Sequence, residues 1–526
     1  MTDKLEGSVR KVVAGGFFIF VGTILGNLFG FGGKVIITRL TTPEAFGVFS
    51  LCVGVVSLIN LFSNFGLSIG VARYSAFYLG QGDKETARAI MLRLMRIGLV
   101  ASIAMLCVFY LSATVIGNKL FGGITGIGPL LKIVFLSIPF AVFVEMLVGT
   151  GRGHGDGLPK VLFMDIARNG LFVVALVVLI PLGLSDTSII WAYVISAIAT
   201  AVLAFGYGSR RYGYGFFETS TQPVPLREIL YFSIPMAVLP MMWMVLTYVD
   251  TIMLGYYMKA EDVGFYNSAS ILSRLFNPIL TAAAFIFLPI ATGLFARNSH
   301  EEFSRIYEII TKWVFVISVP FAAVLFVCHT ELLSLIFGID FAFASGALRI
   351  LVVGFVFSTL FSMNTPMLTA SGHSREQMMA AVITMATNVF LCVILIPRYG
   401  INGAAVATSF STAVYNVTIS YMLFRHTKIA SFSMDYAKTI MAAGLALVVV
   451  MSMGFVAEGM LPAWRIALTG VIYSIIFLIC FLGFKCITLY DVIILNMVEQ
   501  KTGKDLSALK AIVMKFSAER SSQNGK

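Results

Sequence analysis

The sequence carries little charge for its length. Only 12% of its 526 residues are Asp, Glu, Lys or Arg, whereas soluble domains average about 25%. So small a charged fraction excludes a water-soluble enzyme. Hydrophobic residues make up 58% of the chain, and the mean hydropathy is +0.92. The sequence therefore predicts an all-α polytopic membrane protein.

Cysteine is also scarce, and its spacing excludes a thiolate metal centre. The six cysteines lie singly in apolar runs, with no Cys-x-x-Cys pair and no histidine at ligand spacing. We expect them to pack in the apolar interior. They are Cys52, Cys107, Cys328, Cys392, Cys480 and Cys486.

Apolar runs long enough to cross a bilayer fill nearly the whole chain. A spanning helix needs about 20 apolar residues. The first run is too long for a cleavable signal peptide and lacks a small-residue cleavage site, so we expect it to be a span. The fourteen predicted spans are 12–38, 46–78, 90–111, 127–147, 161–182, 188–207, 229–257, 263–295, 307–328, 347–370, 379–397, 404–424, 439–456 and 466–484.

Lysine and arginine are distributed unevenly between the connections. The N-terminus and the even-numbered connections are rich in them, as at Arg88, Arg227 and Arg375, whereas none lies between residues 182 and 188. Cytoplasmic loops carry such an excess, so we predict a multi-pass protein of the plasma (inner) membrane with both termini cytoplasmic. The same rule accounts for the net charge of +11, and no nucleic-acid partner is needed.

The last segment, 487–526, has the pattern of an amphipathic helix. Leu506, Leu509 and Phe516 recur at helical spacing, opposite Lys510 and other lysines. Basic amphipathic helices lie on anionic membrane surfaces. We expect this cytoplasmic tail to bind membrane lipids, and binding of a protein partner is the alternative.

Two halves of the chain repeat one another. Glu44 aligns with Glu261, Asn60 with Asn277 and Arg88 with Arg305, each pair 217 residues apart. Further on, His154 aligns with His373 and Asn169 with Asn388, each pair 219 residues apart. The repeat predicts two six-helix lobes, 1–208 and 229–426, joined by a cytoplasmic connector at 209–228 and followed by spans thirteen and fourteen at 437–486.

The number of spans in a lobe fixes the relation between the two copies. Because six is even, the second copy enters the membrane from the same side as the first. The copies are then related by a pseudo-twofold axis along the membrane normal. Transporters with parallel repeats bind substrate between the lobes and alternate access by rocking one lobe against the other.

Three motifs resemble one known family. Residues 38–49 read TRLTTPEAFGVF, residues 249–256 read VDTIMLGY, and residues 396–405 read IPRYGINGAA. In this order and spacing they resemble the lipid-linked oligosaccharide flippases, of O-antigen or Wzx type, in the multidrug/oligosaccharidyl-lipid/polysaccharide exporter superfamily. The resemblance covers roughly residues 8–485.

The resemblance implies both a fold and a function. The expected fold has two six-helix lobes around a V-shaped cavity, with the last two helices beside it. The expected substrate is a polyprenyl-pyrophosphate-linked glycan, moved from the cytoplasmic to the outer leaflet for cell-surface polysaccharide export, with lipopolysaccharide O-antigen and exopolysaccharide as examples. Polysaccharide polymerases and glycosyltransferases are candidate protein partners.

Cationic side chains in or near the spans are candidates for binding the pyrophosphate. A charge within a span costs at least about 2.5 kcal/mol, so its presence suggests function, and the planar fork of arginine suits phosphate. Arg39 and Arg73 fall at span ends, where extension of the side chain to the interface is the alternative. The candidates are Lys34, Arg39, Arg73, Arg152 and Arg274, with Arg152 expected at the cytoplasmic mouth.

Embedded acids are candidates for ion coupling or for charge pairing. Asp250 and Glu145 lie within predicted spans, and Asp165 precedes Arg168 by three residues, which favours an intrahelical ion pair. The repeat aligns Asp250 with Gly33, so a salt bridge between Asp250 and Lys34 is an alternative to a coupling site. H⁺ or Na⁺ is the candidate coupling ion, and no other cofactor is expected.

The repeat-related pair Asn60 and Asn277 is expected to contribute polar groups to the cavity. The competing interpretation is a cation-coupled drug or metabolite exporter of the same superfamily. Such exporters usually have twelve spans and fewer embedded cations. Enzyme activity is not expected, since no nucleotide-binding glycine loop or catalytic carboxylate pair stands out.

Overall fold

The computed structural model describes residues 2–183, 185–213, 226–297, 299–428, 434–452 and 461–487, with isolated positions 499 and 507. Most of the predicted tail and residues 214–225 of the connector lie outside this part. The described chain folds into helices, with short π or 3₁₀ segments at 160–167, 180–182, 274–276 and 339–344. The α-helices are α1 (Thr2–Leu40), α2 (Pro43–Asn64), α3 (Leu67–Gly80), α4 (Lys84–Leu120), α5 (Ile127–Phe135), α6 (Ile138–Gly153), α7 (Arg168–Leu179), α8 (Ser185–Tyr212), α9 (Leu226–Tyr257), α10 (Ala260–Ser273), α11 (Asn277–Ala296), α12 (His300–Val327), α13 (His329–Ile336), α14 (Ser345–Thr359), α15 (Asn364–Ala370), α16 (Ser374–Thr427), α17 (Met434–Ser452) and α18 (Pro462–Gly483).

Many of these helices can cross a membrane. Among the described residues, eleven helical stretches are long and apolar enough, and a bent pair in α9, Leu226–Val238 with Pro240–Tyr257, gives a twelfth. The bend is 41° and precedes a proline, which cannot donate a helical hydrogen bond. A multi-pass membrane protein is therefore confirmed, while the count of fourteen spans stays a prediction.

The longest helix, α16, is interrupted at Gly400. This residue has φ 56° and ψ −132°, which is not helical and is a backbone geometry that favours glycine. A Cβ atom on Gly403 would lie 2.3 Å from the carbonyl oxygen of Leu395. Residues eight apart in a continuous helix would be about 12 Å apart, so the chain reverses here. The two predicted spans 379–397 and 404–424 thus correspond to the two legs of a helical hairpin.

The chain divides into two compact units. Unit 1 comprises Met1–Ser268 with Asn388–Ala404, and unit 2 comprises Ala269–Thr387 with Ala405–Lys526. This division differs from the predicted lobes 1–208 and 229–426, because α9 packs against α2 and α3 in unit 1. The lobes are defined by the sequence repeat, and they stay a prediction.

Within unit 1, the two copies of the repeated glycine motif contact each other reciprocally. A Cβ atom on Gly47 would lie 1.7 Å from the carbonyl oxygen of Ala260, and one on Gly264 would lie 2.2 Å from that of Pro43. Gly47 and Gly264, like Pro43 and Ala260, are 217 residues apart. Helix α2 and helix α10 therefore meet backbone to backbone at equivalent positions of the repeat.

The glycines of α1 allow another close helix contact in unit 1. A Cβ atom on Gly22 would lie 2.0 Å from Val161, and one on Gly26 would lie 2.5 Å from the carbonyl oxygen of Asp165. Small residues let membrane helices approach closely. The glycine run of the first span thus packs α1 against the π-helical segment that precedes α7.

Unit 2 contains the described parts of the last two predicted spans. Helices α17 and α18 pack on α12 through a buried cluster that includes Phe315, Ala443 and Tyr473. An apolar crevice of about 250 Å³ lies among α12, α14, α17 and α18. Unit 2 therefore contains a crevice with apolar walls next to this buried cluster.

Candidate functional site

A close contact between α3 and α9 positions Arg73. A Cβ atom on Gly66 would lie 2.4 Å from the carbonyl oxygen of Ser233, and one on Gly70 would lie 2.2 Å from its Oγ. The next position on this side of α3 is Arg73, one turn further along. Its guanidinium carbon lies 3.8 Å from the ring centroid of Phe232, within cation–π distance.

Arg73 lines a cavity in unit 1, which we call the α3–α9 cavity. Its volume is about 610 Å³, within the usual range for small-molecule sites. Two arginines, one acid and three aromatic rings line it, so it offers both charge and flat apolar surface. The lining residues are Arg73, Tyr74, Arg227, Glu228, Tyr231, Phe232 and Met236.

Arg152 lies in the last turn of α6, next to the point where α6 contacts α3. A Cβ atom on the adjacent Gly153 would lie 3.0 Å from the carbonyl oxygen of Ala72, so these helices touch one residue away from Arg73. Arg152 is exposed in the last turn of α6, where the helix dipole favours a cation. Two of the predicted cationic residues, Arg73 and Arg152, are thus each next in sequence to a residue at the contact between α3 and α6.

A second polar centre forms around Arg168. Its guanidinium donates a hydrogen bond to the hydroxyl of the buried Tyr193 and lies 5.2 Å from the centroid of that ring. Glu145 and Tyr248 are its other electrostatic neighbours. Helices α6, α7, α8 and α9 therefore each contribute one polar side chain to this centre.

Glu145 is fixed by a residue at a helix break. Asn64, the last residue of α2, donates from Nδ2 to a carboxylate oxygen of Glu145. The following residues, Phe65 and Gly66, have φ values of 42° and 71°, so α2 ends and α3 starts in a new direction. The carboxylate is thus tied to the junction that leads into α3 and Arg73.

The predicted ion pair between Asp165 and Arg168 is wrong. Asp165 instead accepts from Lys160 Nζ at 2.9 Å and from Thr23 Oγ1 at 2.8 Å. The reason is the π-helical segment Lys160–Ala167, in which residues five apart lie on one side. The prediction assumed ordinary α-helical spacing, and Arg168 pairs with Tyr193 instead.

Asp250 is buried in unit 1, with 1% of its surface exposed. Tyr266 donates its hydroxyl to Asp250 Oδ2 at 2.9 Å, and Cys392 Sγ lies 3.5 Å from Oδ1. Cys392 thus packs in the interior, as predicted for the cysteines. The same prediction is wrong for Cys107, which is exposed on α4. The pairing of Asp250 with Lys34, and its role in ion coupling, stay predictions.

The remaining candidates occupy different environments. Asn60 is buried in α2, and its Oδ1 makes no hydrogen bond to the described residues. Lys34 is half-buried in α1, and Arg39 is exposed at its end. In unit 2, the half-buried Arg274 opens a 3₁₀ turn, and Asn277 is exposed at the start of α11.

Sequence reasoning missed several residues of these centres. Arg227 was noted only as a loop cation, although it lines the α3–α9 cavity beside Tyr231 and Phe232. Tyr193 and Asn64 carried no sequence signal beyond being polar residues in apolar helices. Such residues in a span are themselves a signal, because unsatisfied polar groups are costly there.

The sequence matches a model of the polysaccharide biosynthesis protein family over residues 12–290, which is more than half of the chain. The chain belongs to the polysaccharide biosynthesis protein family. The family predicted from the sequence motifs is therefore confirmed. Membrane transport in polysaccharide biosynthesis is the activity class that this family indicates.

One relative and two solved structures are similar to this chain. The chain is 24% identical over 406 residues to the probable low-salt glycan biosynthesis flippase Agl15 of Haloferax volcanii, covering 77% of this chain and 82% of Agl15. The fold is similar to that of the lipid II flippase MurJ in an inward closed conformation, with a TM-score of 0.71, 15% identity, and coverage of 91% and 100%. It is also similar to an inward-facing MATE family multidrug resistance transporter, with a TM-score of 0.65, 17% identity, and coverage of 77% and 94%.

Proposed function

We propose that the protein is a flippase that moves a polyprenyl-pyrophosphate-linked oligosaccharide from the cytoplasmic to the outer leaflet by alternating access. The observation that carries this proposal is the α3–α9 cavity, where Arg73 and Arg227 lie beside Tyr74, Tyr231 and Phe232. The name of the relative Agl15, a probable glycan biosynthesis flippase, supports the same activity.

The chemistry of the cavity matches the polar part of such a lipid. Two guanidinium groups can bind a pyrophosphate through bidentate, charge-assisted hydrogen bonds. Aromatic rings offer flat faces on which sugar rings can stack. The positive-inside rule puts Arg73 and Arg227 near the cytoplasmic surface, where the lipid-linked glycan would enter.

Other polar groups of unit 1 support a transport route beyond this entrance. The Arg168 centre provides a cation among tyrosine hydroxyls, and Asn60 presents a buried amide oxygen. Intramembrane polar groups usually mark transport pathways. We infer that the pyrophosphate passes from Arg73 toward Arg168 during transport, with Arg152 and Lys34 adding positive potential.

The reciprocal contact of Gly47 and Gly264 supports alternating access. Both residues follow odd-numbered spans, so the topology predicts that they lie on the outer side. An equivalent contact made by both copies of a repeat is the pattern expected about a pseudo-twofold axis. We propose that this contact closes the outer side while the α3–α9 cavity is open to the cytoplasm.

A membrane topology of fourteen spans is part of the proposal. The twelve candidate spans, the break at Gly400 and the short apolar helix Tyr436–Ser452 support that number. Fourteen spans would leave both termini in the cytoplasm of a plasma-membrane protein.

The lipid extract of a host that lacks the gene tests this proposal. Mass spectrometry should detect a polyprenyl-pyrophosphate-linked glycan that accumulates in the mutant and disappears when the gene is restored. Restoration with Arg73→Ala should leave the lipid elevated. An unchanged lipid pool together with greater sensitivity to small cationic compounds would instead support a drug exporter of the same superfamily.

A further inference from the structure

Two histidines and a glutamate converge in unit 2. His373 directly precedes α16, Glu376 lies in its first turn, and His426 lies in its last turn. One ligand atom from each of the three lies within 4.8 Å of the others. We propose that His373, Glu376 and His426 form a binding site for a divalent transition-metal ion of the zinc type.

The separation of two of the ligand atoms already suits a metal. His426 Nε2 and Glu376 Oε1 are 3.2 Å apart. In a tetrahedral zinc site with bonds of about 2.0 Å, neighbouring ligand atoms are about 3.3 Å apart. The third ligand atom lies within 4.8 Å of the other two and must move closer to them when an ion binds. Water would occupy the fourth position.

Ser371 Oγ lies 3.1 Å from two partners, the carbonyl oxygen of Leu368 and Nδ1 of His373. When the hydroxyl donates to the carbonyl oxygen, it accepts from the N–H at Nδ1, and the Nε2 lone pair of His373 is then available to a metal ion. A second hydrogen bond that fixes the tautomer in this way is usual for histidines that bind metals.

The two imidazoles lie against each other, with ring centroids 4.0 Å apart. An ion pair between His426 and Glu376 would engage only one of these two rings. A metal ion uses both neutral imidazoles and the carboxylate together, and imidazole with carboxylate suits zinc.

Neighbouring contacts hold the ligands in place. Gln377 Nε2 donates to Thr369 Oγ1 at 2.7 Å and to the carbonyl oxygen of Thr365 at 3.2 Å. These bonds tie α15 to the first turn of α16. Glu376 and His373 are thus attached to a braced turn, which lowers the entropic cost of binding an ion.

The first copy of the repeat supplies a natural control. His154 aligns with His373 but stacks on Tyr212, at 4.8 Å between centroids. Tyr212 in turn donates to Asp156 Oδ2 at 3.0 Å. A phenol therefore stands beside His154 where an imidazole stands beside His373, so only the second copy has two imidazoles facing each other.

Zinc titration of the purified full-length protein in detergent tests the site. The protein carries a purification tag without histidine, is stripped with a chelator, and is titrated with Zn²⁺ against a chromophoric competitor. Wild type should bind one ion per chain with micromolar or tighter affinity. His373→Ala and His426→Ala should each lose this binding, and Ser371→Ala should weaken it about 10- to 100-fold. His154→Ala should bind as wild type.

Folding and coordination are checked separately. The metal-free variants should unfold at the same temperature as metal-free wild type, and Zn²⁺ should raise that temperature only when all three ligands are present. Co²⁺ should give the visible absorption of a tetrahedral site in wild type and not in Glu376→Gln. A folded wild type that binds no Zn²⁺, or a stoichiometric ion retained by both histidine variants, overturns the proposal.

Discussion

The guanidinium carbon of Arg73 lies 3.8 Å above the ring of Phe232, in a cavity that also contains Arg227. The ring holds the charged group in a fixed position without neutralising it, so its hydrogen-bond donors remain available to an anion. A cation held in this way suits the pyrophosphate of the proposed substrate, because the planar guanidinium can bind phosphate oxygens bidentately.

Replacing Arg73 should therefore impair transport. We expect Arg73→Ala to lower the transport rate about 10- to 100-fold, the effect of losing charge-assisted hydrogen bonds worth about 1.5–3 kcal/mol. Arg73→Lys should recover only part of the rate, because lysine keeps the charge but not the planar fork. The rate is measured as clearance of the lipid-linked glycan at equal protein levels. Arg93→Ala, at an exposed position on α4 that does not line the cavity, is the control.

The two other embedded cations offer an independent test of the transport route. Lys34→Ala and Arg274→Ala should each reduce transport while leaving expression in the membrane normal, because their charges are expected to face the substrate. The same clearance measurement applies. Normal transport in both variants would remove these residues from the site.

The contact of Gly47 with Gly264 should tolerate no side chain. Gly47→Ala should destabilise the closed arrangement by about 1–3 kcal/mol, the usual cost of overpacking, because its methyl group would meet a backbone oxygen at 1.7 Å. Thermal unfolding in detergent measures the loss. Gly206→Ala in α8, where a Cβ atom meets nothing within 4 Å, should be neutral or slightly stabilising. Equal unfolding temperatures for the two variants would contradict the close contact.

The tyrosine partner of Arg168 should matter for stability as well as transport. Tyr193→Phe removes the hydroxyl that accepts from the guanidinium and leaves that donor without its partner in an apolar region, which should cost about 1–3 kcal/mol. Thermal unfolding of Tyr193→Phe, Arg168→Ala and the double variant gives the coupling between them. Additive effects of the two substitutions would show that the side chains act independently.

Acid should weaken unit 2 through His329, the first residue of α13. Burial and the nearby Arg349 guanidinium lower the pKa of His329 from 6.5 to about 4, although Glu331 acts in the opposite direction. The unfolded chain therefore takes up a proton as the pH falls below 6.5, while the folded protein does so only near 4. The contribution of the uncharged His329 to the free energy of unfolding is fully present above pH 6.5. It is lost as the pH falls from 6.5 toward 4.

A histidine substitution measures this effect. His329→Gln should reduce the drop in unfolding temperature between pH 7.5 and pH 5, because glutamine does not titrate. A drop of the same size in His329→Gln and wild type would show that this histidine does not contribute.

The main features of the fold could be predicted because they follow from local sequence rules. Hydropathy identified the helical spans, including the two on either side of Gly400, but not the reversal of the chain there. The close contact of the glycines at 22 and 26 with the segment 160–167 likewise appears only in the structure. The 217-residue repeat aligned Gly47 with Gly264, but only the structure shows that the two glycines touch.

Much of the candidate site could not be predicted, because it depends on contacts between distant segments. The π-helical turn at 160–167 changes which residues share a face, and no sequence signal announced it; this is why Asp165 pairs with Lys160. The role of Arg227 depends on α9 packing against α3, which follows from tertiary contacts at Gly66 and Gly70. Likewise, the convergence of His373 and His426 joins residues 53 positions apart.

The most direct test of the central claim is transport by the purified protein in liposomes. A fluorescent polyprenyl-pyrophosphate disaccharide is placed in one leaflet, and its arrival in the other is followed with a membrane-impermeant quencher. We predict that wild-type protein moves the lipid faster than protein-free liposomes do, and that Arg73→Ala, incorporated in equal amount, is at least about tenfold slower. Wild-type movement no faster than in protein-free liposomes, with an H⁺ or Na⁺ gradient of either direction, would contradict the account.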